Sequence, residues 1–241
     1  GSVFTKYEDW PSDFTNGSSA FAGGVYDGTN IWLIPYNADR LVKVNPTTGE
    51  MTGYSNWPAG FTKGSNAFAG GVYDGTYIWL IPYSASQVIK VDPTTGEMTG
   101  YSNWPDGSKG SDQFIGGAFD GTNIWLTPYA GSRLIKLDTT NGAMTSYNSW
   151  PSGSSLGSSP FLGSVFDGTS IWLIPSGADR LIQVNPATGE MTGYTNWPSG
   201  FTKSSEAFWG GVFDGANIWL IPSNATHVIK VDTATGEMTG Y

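Results

Sequence analysis

The heptapeptide Asp74-Gly75-Thr76-Tyr77-Ile78-Trp79-Leu80 decides the fold, because close copies of it recur along the chain. Its aspartate has counterparts at regular intervals of 46 or 47 residues, namely Asp27, Asp120, Asp167 and Asp214. Leucine-rich and ankyrin repeats are shorter and carry helical patterns, which this sequence lacks. The chain is therefore predicted to consist of five repeats of about 47 residues, a length typical of a β-propeller blade.

Each repeat resolves into four short strands separated by turns. The first copy contains Phe21–Tyr26, Ile31–Pro35, Arg40–Val44 and Met51–Tyr54. Asp-Gly and Thr-Gly turn signals separate the first strand from the second and the third from the fourth. The second strand is apolar at every position, which indicates burial on both faces between stacked sheets. We predict an all-β, five-bladed β-propeller with four antiparallel strands per blade, a single domain spanning residues 3–241.

Two segments carry a resemblance to known propellers, Asp74–Leu80 and Val88-Ile89-Lys90-Val91-Asp92-Pro93-Thr94-Thr95-Gly96-Glu97. They resemble the repeats of surface-layer YVTN propellers, of NHL-type propellers and of virginiamycin B lyase. This resemblance covers nearly the whole chain and implies a propeller, although those relatives usually have six or seven blades. The lyase is understood to use histidine and acidic residues with magnesium. Because His227 is the only histidine here, the resemblance does not carry that activity over.

The number of outer strands is anomalous, since the chain holds six outer-strand motifs and five copies of every other strand. The additional motif is Phe4-Thr5-Lys6-Tyr7, followed by Trp10-Pro11. We expect Phe4–Tyr7 to join the last blade and close the ring, in competition with Met238–Tyr241. A monomer and a strand-exchanged dimer both remain open, because unpaired strand edges invite pairing between chains. Gly1-Ser2 resembles a cloning scar.

Composition limits the possible functions. Acidic residues outnumber basic ones by 20 to 11, giving a formal charge of −9, which argues against binding of nucleic acid. Cysteine is absent, so disulfides and thiolate chemistry are excluded. The sequence contains no run of about 18 consecutive apolar residues, so we expect no insertion into a membrane. Localisation is undetermined from the sequence, and a secreted or cell-surface location would suit a glycan-binding protein.

The loops between blades carry the candidate ligand-binding residues. Each contains a Trp-Pro pair, and nearby loops add tyrosines. An indole ring beside amide and hydroxyl groups is suited to a sugar, which stacks its apolar face and hydrogen-bonds its hydroxyls. The expected ligand-binding residues are Trp10, Tyr36, Asn56, Trp57, Tyr83, Asn103, Trp104, Tyr129, Trp150, Asn196 and Trp197. The alternative is that these tryptophans are packing wedges between blades.

Little in the sequence supports catalysis, and we expect no enzyme activity, no cofactor and no metal site. One exception is the pair Asp112 and Glu206, which would lie near the propeller axis and could hydrolyse a glycoside if about 5–9 Å apart. The repeats are otherwise close to identical: Phe21–Tyr54 and Phe68–Tyr101 differ at seven of 34 positions. Repetition of one surface favours multivalent binding.

We therefore predict a lectin-like, multivalent carbohydrate-binding propeller with equivalent sites between blades, and glycans as its partners. Two alternatives remain. One is a protein-interaction scaffold or an amplified or engineered repeat propeller with no small-molecule ligand. The other is a glycosidase that uses Asp112 and Glu206.

Overall fold

The computed structural model describes residues 4–241 and contains β-strands and one short 3-10 turn, Pro105–Gly107. Gly1-Ser2, interpreted above as a cloning scar, lies outside the described residues. The first eight strands are β1 (Phe21–Tyr26), β2 (Ile31–Pro35), β3 (Leu41–Val44), β4 (Met51–Tyr54), β5 (Phe68–Tyr73), β6 (Ile78–Pro82), β7 (Val88–Val91) and β8 (Met98–Tyr101). The remaining strands are β9 (Gln113–Phe119), β10 (Asn123–Ala130), β11 (Leu134–Asp138), β12 (Met144–Tyr147), β13 (Phe161–Phe166), β14 (Ile171–Pro175), β15 (Leu181–Val184), β16 (Met191–Tyr194), β17 (Phe208–Phe213), β18 (Asn217–Pro222), β19 (Ile229–Asp232) and β20 (Met238–Gly240).

Every four consecutive strands form one antiparallel sheet in sequence order, so the chain folds as five propeller blades. We number the blades 1 to 5, from β1–β4 to β17–β20. In blade 1, Val25 pairs with Trp32 and Leu41 with Tyr54. This confirms the predicted all-β class of five-bladed propeller with four strands in each blade.

An aspartate at the first turn of each blade joins the turn to the buried second strand. In blade 2, Asp74 Oδ1 accepts the backbone N–H groups of Thr76 and Tyr77 at 2.8 and 2.6 Å. Its Oδ2 accepts the indole N–H of Trp79 at 2.7 Å. The other four blades repeat the indole contact at 2.7–2.8 Å. The repeated Asp-Gly-X-X-Ile-Trp motif therefore specifies a turn and satisfies a buried indole at the same time.

The core of each blade is the second strand with its flanking strands. Trp32, Trp79, Trp125 and Trp172 are fully buried, as expected for an apolar strand covered on both faces. At the innermost strand, Gly23 has a φ of 86° and lies so close to blade 2 that a Cβ would contact Gly70 Cα at 3.5 Å. Glycine therefore permits both the left-handed backbone and the close approach of neighbouring inner strands.

The chain divides into two compact units, the first ending at Tyr101 and the second beginning at Ser102. The first unit holds the N-terminal segment and blades 1 and 2. The second unit holds blades 3, 4 and 5. Within the described residues there is no helix long and apolar enough to cross a bilayer.

The expected role of the N-terminal segment requires a correction. Blade 5 takes its outer strand from Met238–Gly240, and Phe4–Tyr7 forms no strand. Instead, the Tyr7 ring covers Gly49 in a turn of blade 1. Tyr54 covers Gly96 of blade 2 in the same way, and Tyr194 covers Gly236 of blade 5. Tyr7 thus occupies the position that belongs to the outer-strand tyrosine of a preceding blade.

Candidate functional site

The Trp-Pro tryptophans pack on the first strand of the blade that follows them. The ring of Trp57 stacks on Phe68 with centroids 5.9 Å apart and tilts against Phe61 at 5.6 Å. Its indole N–H donates to the Asp39 carbonyl of the preceding blade at 3.2 Å. Equivalent stacks pair Trp10 with Phe21, Trp104 with Phe114, Trp150 with Phe161 and Trp197 with Phe208. One ring face of each tryptophan is therefore engaged by a phenylalanine.

The asparagines that precede three of these tryptophans hydrogen-bond to turns of the following blade. The side-chain amides of Asn56, Asn103 and Asn196 each donate at 3.0 Å to the carbonyl of a turn glycine in the following blade. Those glycines are Gly96, Gly142 and Gly236. Each asparagine thus ties one blade to the next, and its amide nitrogen is already hydrogen-bonded without a ligand.

Two of the predicted tyrosines, Tyr36 and Tyr83, lie in loops between second and third strands, whereas Tyr129 lies near the end of the second strand of blade 3, β10. Tyr36 and Tyr83 contact each other with ring centroids 5.8 Å apart and remain half-buried, as does Tyr129. The backbone carbonyl of Tyr36 also accepts the N–H of Ala67 at 2.9 Å and the ammonium group of Lys63 at 2.9 Å. The structure therefore brings Tyr36 and Tyr83 together beside the loop that follows Trp57.

Lysines in the loops between blades hydrogen-bond both to a carbonyl of the preceding blade and to a carbonyl of their own loop. Lys63 Nζ bonds the carbonyls of Tyr36 and Gly64, and Lys203 Nζ bonds those of Ser176 and Ser204. Burial lowers the pKa of each of these lysines to about 8, and a nearby aspartate opposes the shift. The sequence interpretation did not identify these lysines, which tie the loops to the preceding blade.

A polar pocket of about 340 Å³ lies between the segment that precedes β1 and the loop between β2 and β3. Its lining residues are Asp13, Phe14, Thr15, Gly17, Ser18, Ala20, Asn37, Ala38 and Asp39. The Phe14 ring contacts Trp10 at 5.4 Å and Phe21 at 5.8 Å, so packing fixes its position. The sequence interpretation missed Asp13, Phe14 and Ser18. The signal that could have found them was the Ser/Thr/Asn-rich run that follows Trp10-Pro11.

Arg40 holds the two walls of this pocket together. Its guanidinium group donates to Asp39 at 2.8 and 3.0 Å and to the carbonyls of Ser12 and Asp13 at 3.3 and 3.2 Å. It also lies over the Phe14 ring, 5.4 Å from the centroid. The hydrogen bonds from Arg40 lower the pKa of the Asp39 carboxyl, which keeps a charged acceptor at the pocket wall.

The two carboxylates considered for glycoside hydrolysis differ in their surroundings. Asp112 is buried and forms an ion pair with Arg133, which also bonds the carbonyls of Pro105, Ser108 and Lys109. Glu206 is exposed and accepts a 3.4 Å bond from the Asn224 amide. The Asp112 carboxylate is therefore already paired with Arg133, which is itself hydrogen-bonded to the loop that precedes Asp112.

No metal centre is formed by the described residues, among which no three histidine, aspartate or glutamate side chains cluster. His227 lies on the edge of Phe201 with centroids 5.8 Å apart, and its Nδ1 is 2.7 Å from Thr226 Oγ1. These contacts are those of a packed loop residue.

Comparisons with known proteins identify the fold. No protein-family model matches the sequence, and no curated protein matches it. Among solved structures, streptogramin B lyase aligns with a TM-score of 0.66 and 18% identity, over 95% of this chain and 72% of that chain. A chain of a nidogen/laminin complex aligns with a TM-score of 0.62 and 13% identity, over 91% and 78%. A candidate 6-phosphogluconolactonase from Bacteroides uniformis aligns at 0.56 and 16% identity, over 89% and 68%.

These likenesses confirm the β-propeller fold and its resemblance to lyase-type propellers. At such identities they show the fold alone. The described roles of the three proteins differ, which accords with the general rule that one fold hosts many functions.

Proposed function

We propose that this protein binds carbohydrate without catalysis, through pockets formed by the loops next to the Trp-Pro tryptophans. The single observation that carries the proposal is the polar pocket of blade 1. Five aromatic loops on one repeated scaffold favour several such sites on one chain.

The chemistry of the pocket suits a neutral sugar. The Asp39 carboxylate and the Asn37 amide can accept or donate hydrogen bonds to ring hydroxyls, and Thr15 and Ser18 add hydroxyl groups. Phe14 contributes an aromatic surface of the kind that contacts the apolar face of a sugar. A volume of about 340 Å³ is at the small end of the range for ligand pockets, about 300–1,000 Å³, and fits a mono- or disaccharide.

The tryptophans have a supporting role in this proposal. Because Trp10 and its counterparts each stack on a phenylalanine, they hold the loops whose polar groups face the sugar. The Phe-Thr pair of the pocket loop occurs again at Phe61-Thr62 and Phe201-Thr202. Blades 2 and 5 therefore offer the loops most similar to that of blade 1, and weak sites on several blades would gain avidity on a clustered glycan.

A glycan array tests the proposal, with a pocket-filling variant as the comparison. Gly17 lines the pocket, a Cβ added to it would have no neighbour within 4 Å, and its backbone does not adopt a positive φ. Gly17→Trp therefore adds a large side chain at the mouth of the pocket, where it would obstruct a ligand, without strain in the backbone. Thr47→Trp places the same side chain on an exposed turn and is the matched control.

We expect the wild-type chain and Thr47→Trp to bind one coherent class of glycans. Gly17→Trp should reduce the number of sites per chain by one, measured by calorimetric titration with the sugar identified on the array. A blank array from folded protein, or an unchanged number of sites in Gly17→Trp, would refute the proposal.

A further inference from the structure

Blades 1 and 4 share a short sequence in the loop between their second and third strands. Ala38-Asp39-Arg40 of blade 1 corresponds to Ala178-Asp179-Arg180 of blade 4, and the other blades carry no Asp-Arg pair there. In blade 4, Arg180 donates to the two carboxylate oxygens of Asp179 at 2.9 and 2.7 Å and to two carbonyls of the preceding loop at 3.3 and 2.7 Å. Arg40 makes the same set of contacts in blade 1, so both blades hold the aspartate in one common frame.

In blade 4, the loop that precedes β13 closes onto this aspartate. The N–H of Ser155 donates to Asp179 Oδ1 at 3.1 Å, and the N–H of Asp179 donates to the carbonyl of Ser155 at 2.9 Å. The side chain of Asp179 is 38% exposed. Asp179 therefore binds one hydrogen-bond donor and one acceptor that lie side by side on a single residue of its own chain.

In blade 1, the corresponding loops stay apart. Thr15 stands where Ser155 does, but within residues 4–241 no hydrogen bond joins Thr15 to Asp39, and no other residue accepts the Asp39 N–H. The Asp39 side chain is 67% exposed. A Cβ on Gly157 of blade 4 would stand 2.6 Å from the opposite loop, whereas a Cβ on Gly17 of blade 1 would have no neighbour within 4 Å. The polar pocket of blade 1 therefore lies where blade 4 has its loop contact.

The residue two positions before the aspartate explains the difference. Blade 4 has Gly177, where a Cβ would overlap the carbonyl oxygen of Ser158, so the closed arrangement leaves no room for a side chain. Blade 1 has Asn37 at this position, and its Oδ1 accepts the N–H of Asn66 from the following blade at 2.9 Å. The Asn37 side chain is therefore held in place and keeps the two loops of blade 1 apart.

We propose, resting on the carbohydrate-binding function proposed above, that the sugar in blade 1 binds Asp39 in the way that Ser155 binds Asp179. One sugar hydroxyl donates to the Asp39 carboxylate, and the oxygen of the adjacent hydroxyl accepts the Asp39 N–H. A hydroxyl group can take either role, and a hydrogen bond to a carboxylate is among the stronger ones. The ligand class is therefore a sugar with two adjacent free hydroxyl groups that can reach one residue together, which excludes a trans-diaxial pair.

A sugar fits this position better than a peptide does. A peptide that binds by strand addition needs a row of free backbone groups along its partner. The N–H groups of Asn37 and Ala38 already donate to carbonyls of Ser19 and Ala20 in the same blade. These residues therefore cannot extend such a row beyond Asp39, and a vicinal pair of hydroxyls needs no row.

Hydrogen exchange at single backbone amides, measured by NMR, tests the proposal. We expect slow exchange at Asp179 and fast exchange at Asp39 in the free protein, because only the first amide has an acceptor in another residue. The probes are the methyl glycosides of glucose, mannose, galactose and fucose, each with its monodeoxy derivatives. A glycoside that binds should slow exchange at Asp39 about tenfold or more, and removal of either hydroxyl of the bound pair should raise its dissociation constant about tenfold.

Gly177→Asn should open the loop contact of blade 4 and create a second site. Gly177 does not adopt a positive φ, so its backbone accepts a side chain. We expect exchange at Asp179 to accelerate about tenfold or more, and calorimetric titration should count one more sugar per chain. Ala187→Asn adds the same side chain to an exposed turn of blade 4 and should change neither quantity. If Gly177→Asn does not fold, Gly177→Ala makes the same test with the smallest side chain.

The possible results distinguish the role of Asp39 from carbohydrate binding itself. Folded protein that binds none of the glycosides would refute both. Sugar binding that leaves exchange at Asp39 unchanged would overturn the role of Asp39 and leave carbohydrate binding in place. An opened loop in Gly177→Asn that binds no additional sugar would overturn the role of Asp39 as well.

Discussion

Single polar residues decide how each repeat folds locally. Asp74 satisfies two backbone N–H groups and the indole of a fully buried tryptophan through one carboxylate. In blade 5 the hydrogen bond from the Trp219 indole, with those from the Asn217 and Ala216 backbone, lowers the pKa of Asp214 to about 2. The carboxylate form of Asp214 is therefore the one that accepts these hydrogen bonds.

Replacement of this aspartate should destabilise its blade. Asp74→Ala leaves the buried indole N–H of Trp79 without an acceptor, which costs about 1–3 kcal/mol, and it also removes the turn contacts. We expect the free energy of unfolding to fall by about 2–4 kcal/mol, measured by urea denaturation. The control is Thr76→Ala, an exposed neighbour whose change should lie within about 0.5 kcal/mol of zero. Equal effects of the two substitutions would contradict this account of the turn.

Elements within a blade were predictable from the sequence, but the contacts between blades were not. The turn signals and the apolar Ile-Trp-Leu strand depend on neighbours within a few residues, so the repeat shows them directly. The partners of Trp57 and Asn56 are Phe68, Asp39 and Gly96, up to 40 residues away. Sugar stacking and packing between blades require the same residue types, so only the folded contacts reveal the structural role of these residues.

The Phe4–Tyr7 prediction failed for a related reason. The segment matches the outer-strand motif, but blade 5 already contains its own copy of that motif at β20. A strand forms only where a partner strand offers a free edge. Sequence similarity identified the motif without showing which edge was free, and the ring of Tyr7 packs on Gly49 of blade 1 instead.

The lysines that link loops between blades make stability depend on pH. Lys63 and Lys203 have pKa values of about 8 in the folded protein, against 10.5 in an unfolded chain. Between these values the unfolded chain binds more protons, so the free energy of unfolding should rise as the pH increases from about 8 to about 10.5. Below pH 8 this gain is absent.

The measurement is a series of urea unfolding curves between pH 7 and 10.5. Lys63→Met should reduce the slope over that interval, because methionine keeps the aliphatic part of the side chain and does not titrate. Lys6→Met is the control, since the Lys6 side chain is exposed and forms an ion pair with the exposed Glu8. An unchanged slope in Lys63→Met would show that burial does not shift the pKa of Lys63.

At the scale of the whole molecule, the N-terminal segment supplies the tyrosine that an outer strand of a preceding blade supplies elsewhere. Tyr7 covers Gly49 of blade 1, as outer-strand tyrosines of preceding blades cover Gly96, Gly189 and Gly236.

The Thr127 hydroxyl group of blade 3 donates to the Ser164 hydroxyl group of blade 4 at 2.8 Å, and this contact bears on how correctly the blades pair during folding. Repeats that resemble each other this closely can exchange partners while the chain folds, and exchange of that kind is a characteristic misfolding route of repeat proteins. Thr127 is fully buried, so a wrong neighbour with glycine at that point would leave its hydroxyl group unpaired. This polar contact therefore distinguishes the junction of blades 3 and 4 from a junction of isoleucine with glycine, such as that of Ile34 with Gly71, and we expect it to disfavour exchanged blades during folding.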